Sequence, residues 1–486
     1  MFQKKEWKPR QVQFPGRRIL RNVDTNEEMT VIVNRDEGEV TQVGDSFSSA
    51  TMNDLEQRIA DAVKGIVAPQ IIVTAPEGSD ITVTNGELAM TAVGGTVAFD
   101  LSCYGEWTVS STLNGETDSE VVVVDTVKQY YVTLSYTVIF GISRDTDNSS
   151  PLWTRTDDAV GMTATASINT AAGSSDFDQM PIYRDIERVT MNNGDVMVKI
   201  PAFWYQRYKS GNTEYIRIAN REAGGFELHP AFARPSGNVD YIYVGAYKTG
   251  TGHVSKTGLA PLTNITRAAF RTSAKNKGDG WGLIDIAAVS AVQMLILVEF
   301  ATNNVQSAIG SGYSNESNSA AINTGSCDGV PNLTGRPSGT ADMVDVVWRG
   351  IEGFWGNVWE WTDGLNFNGG TYYVCNDPTK YVDDTSSNYN ALSYKGATNW
   401  SSSYITQEGL DTANPWCMMP SAAGSGSGST YFTDGAWSST GWRVFVRGGR
   451  WANGTICGMF AADVNATSSS AHVNYGSRLL YIPSAL

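Results

Sequence analysis

The spacing of apolar positions changes three times along this chain. Residues 1–67 begin with two alternating, strand-like segments at 29–33 and 39–43, then shift to helical spacing. Met52, Leu55, Ile59, Val63 and Ile66 share one stripe, with Ser49 or Thr51 placed to cap it. Met52, Leu55, Ile59, Ala62 and Ile66 also fit a short a/d seam. A helix packed on its own domain and a short coiled coil therefore both stay open.

Over 68–137 alternation returns and persists. Six strand-length runs, at 71–74, 81–83, 97–99, 107–109, 121–124 and 130–136, are punctuated by Pro76-Glu77-Gly78, Asn85-Gly86, Gly94-Gly95 and Asn114-Gly115. Regular strands with turn residues between them and no helical period predict an immunoglobulin-like β-sandwich. No residue in it suggests chemistry.

Residues 138–486 mix both periods. A strand is expected over 197–205, a helix from a cap at Thr263 or Asn264 to about Asn276, and a second helix over 283–303. The second is apolar nearly all round, so it should be buried. Segments 311–319 and 421–430, rich in Ser, Gly and Asn, are too polar for a core and read as surface insertions. The predicted class is α+β and multidomain: a small α/β unit at 1–67, the sandwich at 68–137, and a large domain at 138–486.

Three blocks of the large domain carry most information. In Gly356-Asn357-Val358-Trp359-Glu360-Trp361 a turn leads into a strand whose alternation sends Val358 and Glu360 one way and Trp359 and Trp361 the other. In Arg447-Gly448-Gly449-Arg450-Trp451 the glycines allow a tight turn before Trp451 enters the core. Gly476-Ser477-Arg478 follows.

Composition narrows the function classes. At 486 residues the chain exceeds one ordinary core. Hydrophobic residues at 41% against 17% charged fit a folded, aromatic-cored protein rather than a disordered one. A net charge of −15 argues against nucleic acid as a partner, although Lys4, Lys5, Lys8, Arg10, Arg17, Arg18 and Arg21 crowd the start. The apolar run 286–300 is broken by Ser290, Gln293 and Glu299 and is too short for a membrane span. The first residues lack a signal-peptide core, which predicts synthesis in a cytoplasm.

Candidate chemistry is sparse. Cys103, Cys327, Cys375, Cys417 and Cys457 are scattered, and with His229, His253 and His472 they offer neither zinc-ligand spacing nor a disulfide framework. Asn376, Asp377, Asp383 and Asp384 could take a structural calcium, though not at EF-hand spacing. No other cofactor is indicated. Glu360 with Asp363 could form a carboxylate pair, and His229 reads as a structural histidine rather than a base.

In their order, the three blocks resemble the C-type-lectin-like fold shared by formylglycine-generating enzymes and the retroelement-diversified ligand-binding proteins of phages. The enzymes use a close cysteine pair in the last segment; here that segment holds Cys457 alone, so no enzyme activity is expected. The diversified proteins keep scaffold positions where this chain has Trp359, Trp361, Gly448, Gly449, Trp451, Gly454, Gly458, Phe460, Gly476 and Arg478. They vary where it has Arg450, Ala452, Asn453, Ile456, Asp463, Asn465 and His472, which the resemblance makes the receptor-binding surface. An ordinary, undiversified last strand and loop is the other reading. The calcium-dependent sugar motifs of true C-type lectins are absent, so sugar binding does not follow from the fold.

The start, through Arg21-Asn22-Val23-Asp24-Thr25 and Ala50-Thr51-Met52-Asn53-Asp54-Leu55, resembles the N-terminal region of phage virion proteins. Together these resemblances imply a phage structural protein: a tail-tip, fibre or capsid-decorating component located in the virion. Residues 1–67 would bind other virion proteins, the sandwich would act as spacer, and the last domain would bind a host-cell surface receptor, protein or glycan. A homotrimer would add avidity. The alternatives are a formylglycine-generating-type surface enzyme and a bacterial surface adhesin.

Overall fold

The computed structural model describes residues 17–21, 28–32, 68–113, 116–134 and 136–484. The chain divides into two compact units, Met1–Tyr136 and Thr137–Leu486, and strands dominate the described residues of each. Near the start, Arg17–Arg21 pairs antiparallel with Glu28–Ile32. The strand expected at 39–43 and the stripe from Met52 to Ile66 lie outside the described residues.

In the first unit, the expected six runs in two layers are five strands of one hydrogen-bonded sheet. The runs at 71–74 and 81–83 are the two halves of a single strand, Gln70–Thr84. Its register against Ala89–Asp100 shifts between Ala75 and Asp80, so Pro76-Glu77-Gly78 forms a bulge rather than a turn. A bulge bends its strand and lets the two halves find different partners. The first half pairs parallel with Gln129–Thr133 and the second antiparallel with Gly105–Leu113. Gly94, read from sequence as part of a turn, lies opposite this bulge within Ala89–Asp100. A Cβ there would sit 1.9 Å from the Pro76 carbonyl oxygen, so only glycine fits. Both halves feed one core, with Ile71, Val73, Ile81 and Val83 packed around Phe99 and Trp107.

At the heart of the second unit lies the helix Ile286–Phe300, every residue of which except Phe300 is buried. It spans 286–300 rather than the expected 283–303, starting later because Trp281–Leu283 is taken as a strand by Arg478–Tyr481. Asp285 caps it, accepting from the Ala288 N–H, and Ala301 ends it in the left-handed region at φ 50°. The shorter helix Arg267–Lys275 is capped by Thr266, not by Thr263 or Asn264. Asn264 has φ 59° and belongs to the preceding turn.

Three larger sheets surround these helices. The run 197–205 splits into Val196–Pro201 and Trp204–Ser210, which belong to different sheets. Between them Ala202 donates its N–H to Asp240, and Phe203 is fully buried. The nine-stranded sheet contains Trp359–Asn368 beside Trp442–Arg447. No helix among the described residues is long and apolar enough to cross a membrane.

Candidate functional site

The three sequence blocks meet at one buried carboxylate. Strand alternation sends Trp359 and Trp361 into an apolar cluster with Phe270, Leu283, Val444 and Val446, and turns Glu360 the other way. Glu360 is fully buried and lies directly across the ladder from Arg447. Arg447 Nη1 reaches its Oε2 at 2.5 Å, Arg478 Nε its Oε1 at 2.8 Å, and Lys248 Nζ the same oxygen at 3.1 Å. Burial alone would raise the Glu360 pKa, but Arg478, Lys248 and Arg447 bring it down to about 2. Burial pulls Lys248 down to about 8, with Glu360 opposing it. Arg478 uses its remaining donors on the Gly245, Glu352 and Gly353 carbonyls, tying the last strand to two others.

Backbone bonds join the turns at the ends of these strands. Gly356 N–H donates to Gly448 O and Trp451 N–H to Asn357 O, each at 2.9 Å. Gly448 and Gly449 have φ of 85° and 79°, and a Cβ on Gly449 would meet the Cys457 sulfur at 2.6 Å. The polar segment 311–319, expected as a surface insertion, keeps Glu316, Ser317 and Ser319 exposed but buries Gly312 and Ser314 against the turns. Its Tyr313 carbonyl accepts from Asn357, its Ser314 carbonyl from Gly454, and Asn318 Nδ2 donates to the Trp451 carbonyl. Ser314 is fully buried. Backbone carbonyls together with the Asn315 and Asn318 side chains tie this polar stretch to its neighbours, which hydropathy does not report.

The candidate positions divide on this frame. Trp359, Trp361, Trp451, Phe460 and Arg478 are all buried. Arg450, Ala452, Asn453 and Ile456 are half-buried, and Asn465 and His472 are exposed. Asp463 is the correction: it is buried, within the strand Ala462–Val464, between Trp437 and Val446 in register. Burial raises its pKa to about 7, and its Oδ1 accepts from the Asn465 N–H at 2.6 Å. A position expected to vary freely on the surface is part of the sheet.

Around the segment 450–456 the structure gathers aromatic residues that sequence reasoning missed. Trp437 packs edge-on against Trp359 at 5.2 Å, and a Cβ on Gly435 would touch both Trp437 and Ile456. The Tyr404 hydroxyl hydrogen-bonds Thr455 at 2.7 Å. Tyr475 packs on Trp361 at 4.9 Å and against His472 at 5.9 Å. Trp437, Tyr404 and Tyr475 are half-buried. The one available signal was the alternation of Trp437 with the smaller Ala436 and Ser438.

Catalytic arrangements find little support among the described residues. The five cysteines are unpaired, and Cys457 is fully buried with its thiol donating to the Gly448 carbonyl at 3.1 Å. Burial pushes its pKa up, which disfavours the nucleophilic thiolate. His229 is fully buried among Phe203, Tyr205 and Phe232, and burial keeps its pKa well below 6.5. The acidic group read for calcium is spent on other partners: Asp383 pairs with Arg271 at 2.8 Å and with Arg267, Asp377 pairs with Lys380 at 2.9 Å, and Asp384 accepts from Ser468. Asp363 likewise serves Arg271, not Glu360. Among the described residues no group of three or more His, Cys, Asp or Glu side chains is arranged to hold a metal ion.

No protein-family model matches this chain, and no curated protein sequence matches it. Solved structures of the Major Tropism Determinant do. Its P3c variant is 9% identical, with 97% of this chain and 95% of that one covered, at a TM-score of 0.25. The I1 variant is 11% identical over 98% and 96%, at 0.26, and the U1 variant 10% identical over 79% and 83%, at 0.24. Superposition this loose leaves fold and function to be argued from the chain's own residues.

Proposed function

We propose that this chain is a phage structural protein whose second unit binds a host-cell surface receptor through the segment 450–456, with Trp437, Tyr404 and Tyr475 beside it. One observation carries the reading: a chemically assorted, half-exposed segment is mounted on a frame fixed independently of it. Glu360, Arg447 and Arg478 clamp the strands from inside, and the turns are held by backbone bonds. Side chains at Arg450, Ala452 and Ile456 can therefore change without loosening what carries them, whereas Asn453 Oδ1 fixes the turn by accepting from the Arg450 N–H at 2.8 Å. Half-buried aromatic residues are suited to anchoring a partner, since they give large contact area at little entropic cost. Asn465 and His472 extend the face, and Asp463 supports it from the sheet. Such a surface is open to diversification.

Residues 1–67, with their basic start, would attach the protein to other virion components. Homotrimerisation would multiply weak receptor contacts. The receptor is a surface protein or glycan, and nothing in the segment 450–456 requires catalysis.

The test replaces Ala452 with Arg, Asn453 with Asp and Ile456 with Lys, singly and together, and measures adsorption to host cells alongside thermal melting. Adsorption should fall while the melting temperature holds. Unchanged adsorption in the triple variant would sink the assignment of the binding face. Turnover of a cysteine-containing peptide, abolished by Cys457→Ser, would restore the enzyme alternative.

A further inference from the structure

A cavity of about 830 Å³ opens in the second unit, lined by the last turn of the helix Arg267–Lys275, the strand Trp281–Leu283 and residues 377–379, and it shares no residue with the segment 450–456. Its size suits a ligand of one or two rings. Two of its cations, Arg271 and Lys275, are one helical turn apart and so lie side by side.

The charges in the wall are largely satisfied by one another. Asp285 is gripped by Arg234 at 2.8 Å and also accepts from Tyr381 and the Ala288 N–H. Asp363 is held by Arg271 at 2.5 Å, and Asp377 by Lys380 and Thr379. After those pairings, unspent donors remain on two groups. Arg271 commits Nε and Nη2 to Asp363 and Asp383, and its Nη1 makes no hydrogen bond among the described residues. Lys275 is exposed and gives one N–H to the Pro378 carbonyl at 2.9 Å, leaving two. On the acidic side, Asp279 is exposed in the cavity wall and forms no ion pair among the described residues. The apolar lining comes from Leu480 and Ile482, while the Trp281 ring packs on Tyr481 at 5.1 Å under Lys277.

We propose that this cavity binds a saccharide or polyol carrying one anionic group. The anion would bridge Arg271 Nη1 and Lys275 Nζ, since a charge-assisted pair of donors already held in place costs little to use. Asp279 and the Ser236 hydroxyl would take the ligand's hydroxyl groups, and the lining around Leu480 and Ile482 its apolar face. The same chemistry is offered by a uronic acid and by a polyol phosphate, both components of bacterial surface polymers. The proposal stands whether or not the segment 450–456 is the receptor face.

The full-length protein is titrated by calorimetry with D-glucuronate, glycerol 3-phosphate, inorganic phosphate and glucose. Saturable binding of glucuronate or of glycerol phosphate, with glucose silent, is expected, and the stronger of the two names the source. Lys275→Glu should weaken that binding by about tenfold or more, the value of one charge-assisted contact, without moving the melting temperature of an exposed site. Asp279→Asn should weaken the organic ligand and leave inorganic phosphate unaffected. No saturation by either organic acid, or equal affinity in Lys275→Glu, overturns the proposal. Inorganic phosphate binding as tightly as both would reduce the cavity to an anion subsite and overturn it equally.

Discussion

Glu360 and Arg478, 118 residues apart in sequence, share a 2.8 Å hydrogen bond inside a core where neither is exposed to solvent. Because Arg447 and Lys248 converge on the same carboxylate, the second unit closes around one negative charge facing three positive ones. Asp345, buried nearby, is raised to about 6 by burial and opposed by Lys248. A buried ion cluster of this kind adds little over well-packed apolar side chains, but losing one partner strands the rest.

Glu360→Gln should therefore destabilise the second unit by about 3–5 kcal/mol, through buried cations left without their counter-charge. The pH dependence has a definite sign. The Glu360 pKa falls from 4.5 to about 2 on folding, so its contribution is present above 4.5 and lost as pH drops through 2. Acid denaturation followed by circular dichroism should show this loss in the native protein and not in the variant. Superimposable acid curves would mean the cluster is balanced elsewhere.

At higher pH the opposite sign applies. Burial raises Asp434 to about 8 and Asp463 to about 7, so each stays protonated in the fold long after it would ionise in the unfolded chain. Their contribution is complete below about pH 4 and lost as pH rises toward 8. Asp434→Asn, which keeps an acceptor for the Phe460 N–H, should flatten the fall in melting temperature over that window. An unchanged slope would show that Asp434 ionises normally.

Trp361→Ala should cost about 3–5 kcal/mol, since the side chain is fully buried and its indole N–H donates to the Ile265 carbonyl at 3.0 Å. Substitutions at Ala452, and Asn453→Asp, which keeps an acceptor for the Arg450 N–H, should stay within about 0.5 kcal/mol. Asp463→Ala belongs with the tryptophan in kind, because it empties a buried position of the sheet and takes the acceptor from the part-buried Asn465 N–H. Thermal melts of the four variants order them directly, and Asp463→Ala melting with the native protein would return that residue to the surface class.

In the first unit, Gly94→Ala should be destabilising by about 1–3 kcal/mol, because the new methyl meets the backbone of the 76–79 bulge. Hydrogen exchange should accelerate in peptides from 70–134 and stay unchanged in those covering 359–368. Equal protection in both would mean that the bulge relaxes freely.

Much of this architecture was legible in the chain because it depends on local rules. Alternation at Trp359-Glu360-Trp361 assigned faces correctly, since a strand's period of two needs no knowledge of its partner. Gly448 and Gly449 announced a turn, and the apolar run at 286–300 announced a buried helix. Where the readings failed, a distant segment had intervened. The run at 283–285 left the helix because Arg478–Tyr481 claimed the neighbouring residues as a strand. Pro76-Glu77-Gly78 and Gly94-Gly95 look like two turns to any local rule, and only their pairing across the sheet makes them one bulge.

The candidate site divides in the same way. By itself the sequence determined which residues could anchor a core and which segment was chemically assorted, because size, polarity and glycine content are properties of single positions. Tertiary structure alone decided that Asp463 is buried, that Trp437, Tyr404 and Tyr475 flank the segment 450–456, and that Arg271 and Lys275 face a cavity. Burial and charge pairing are properties of neighbours brought from far along the chain, and no spacing within the sequence encodes which neighbours those will be.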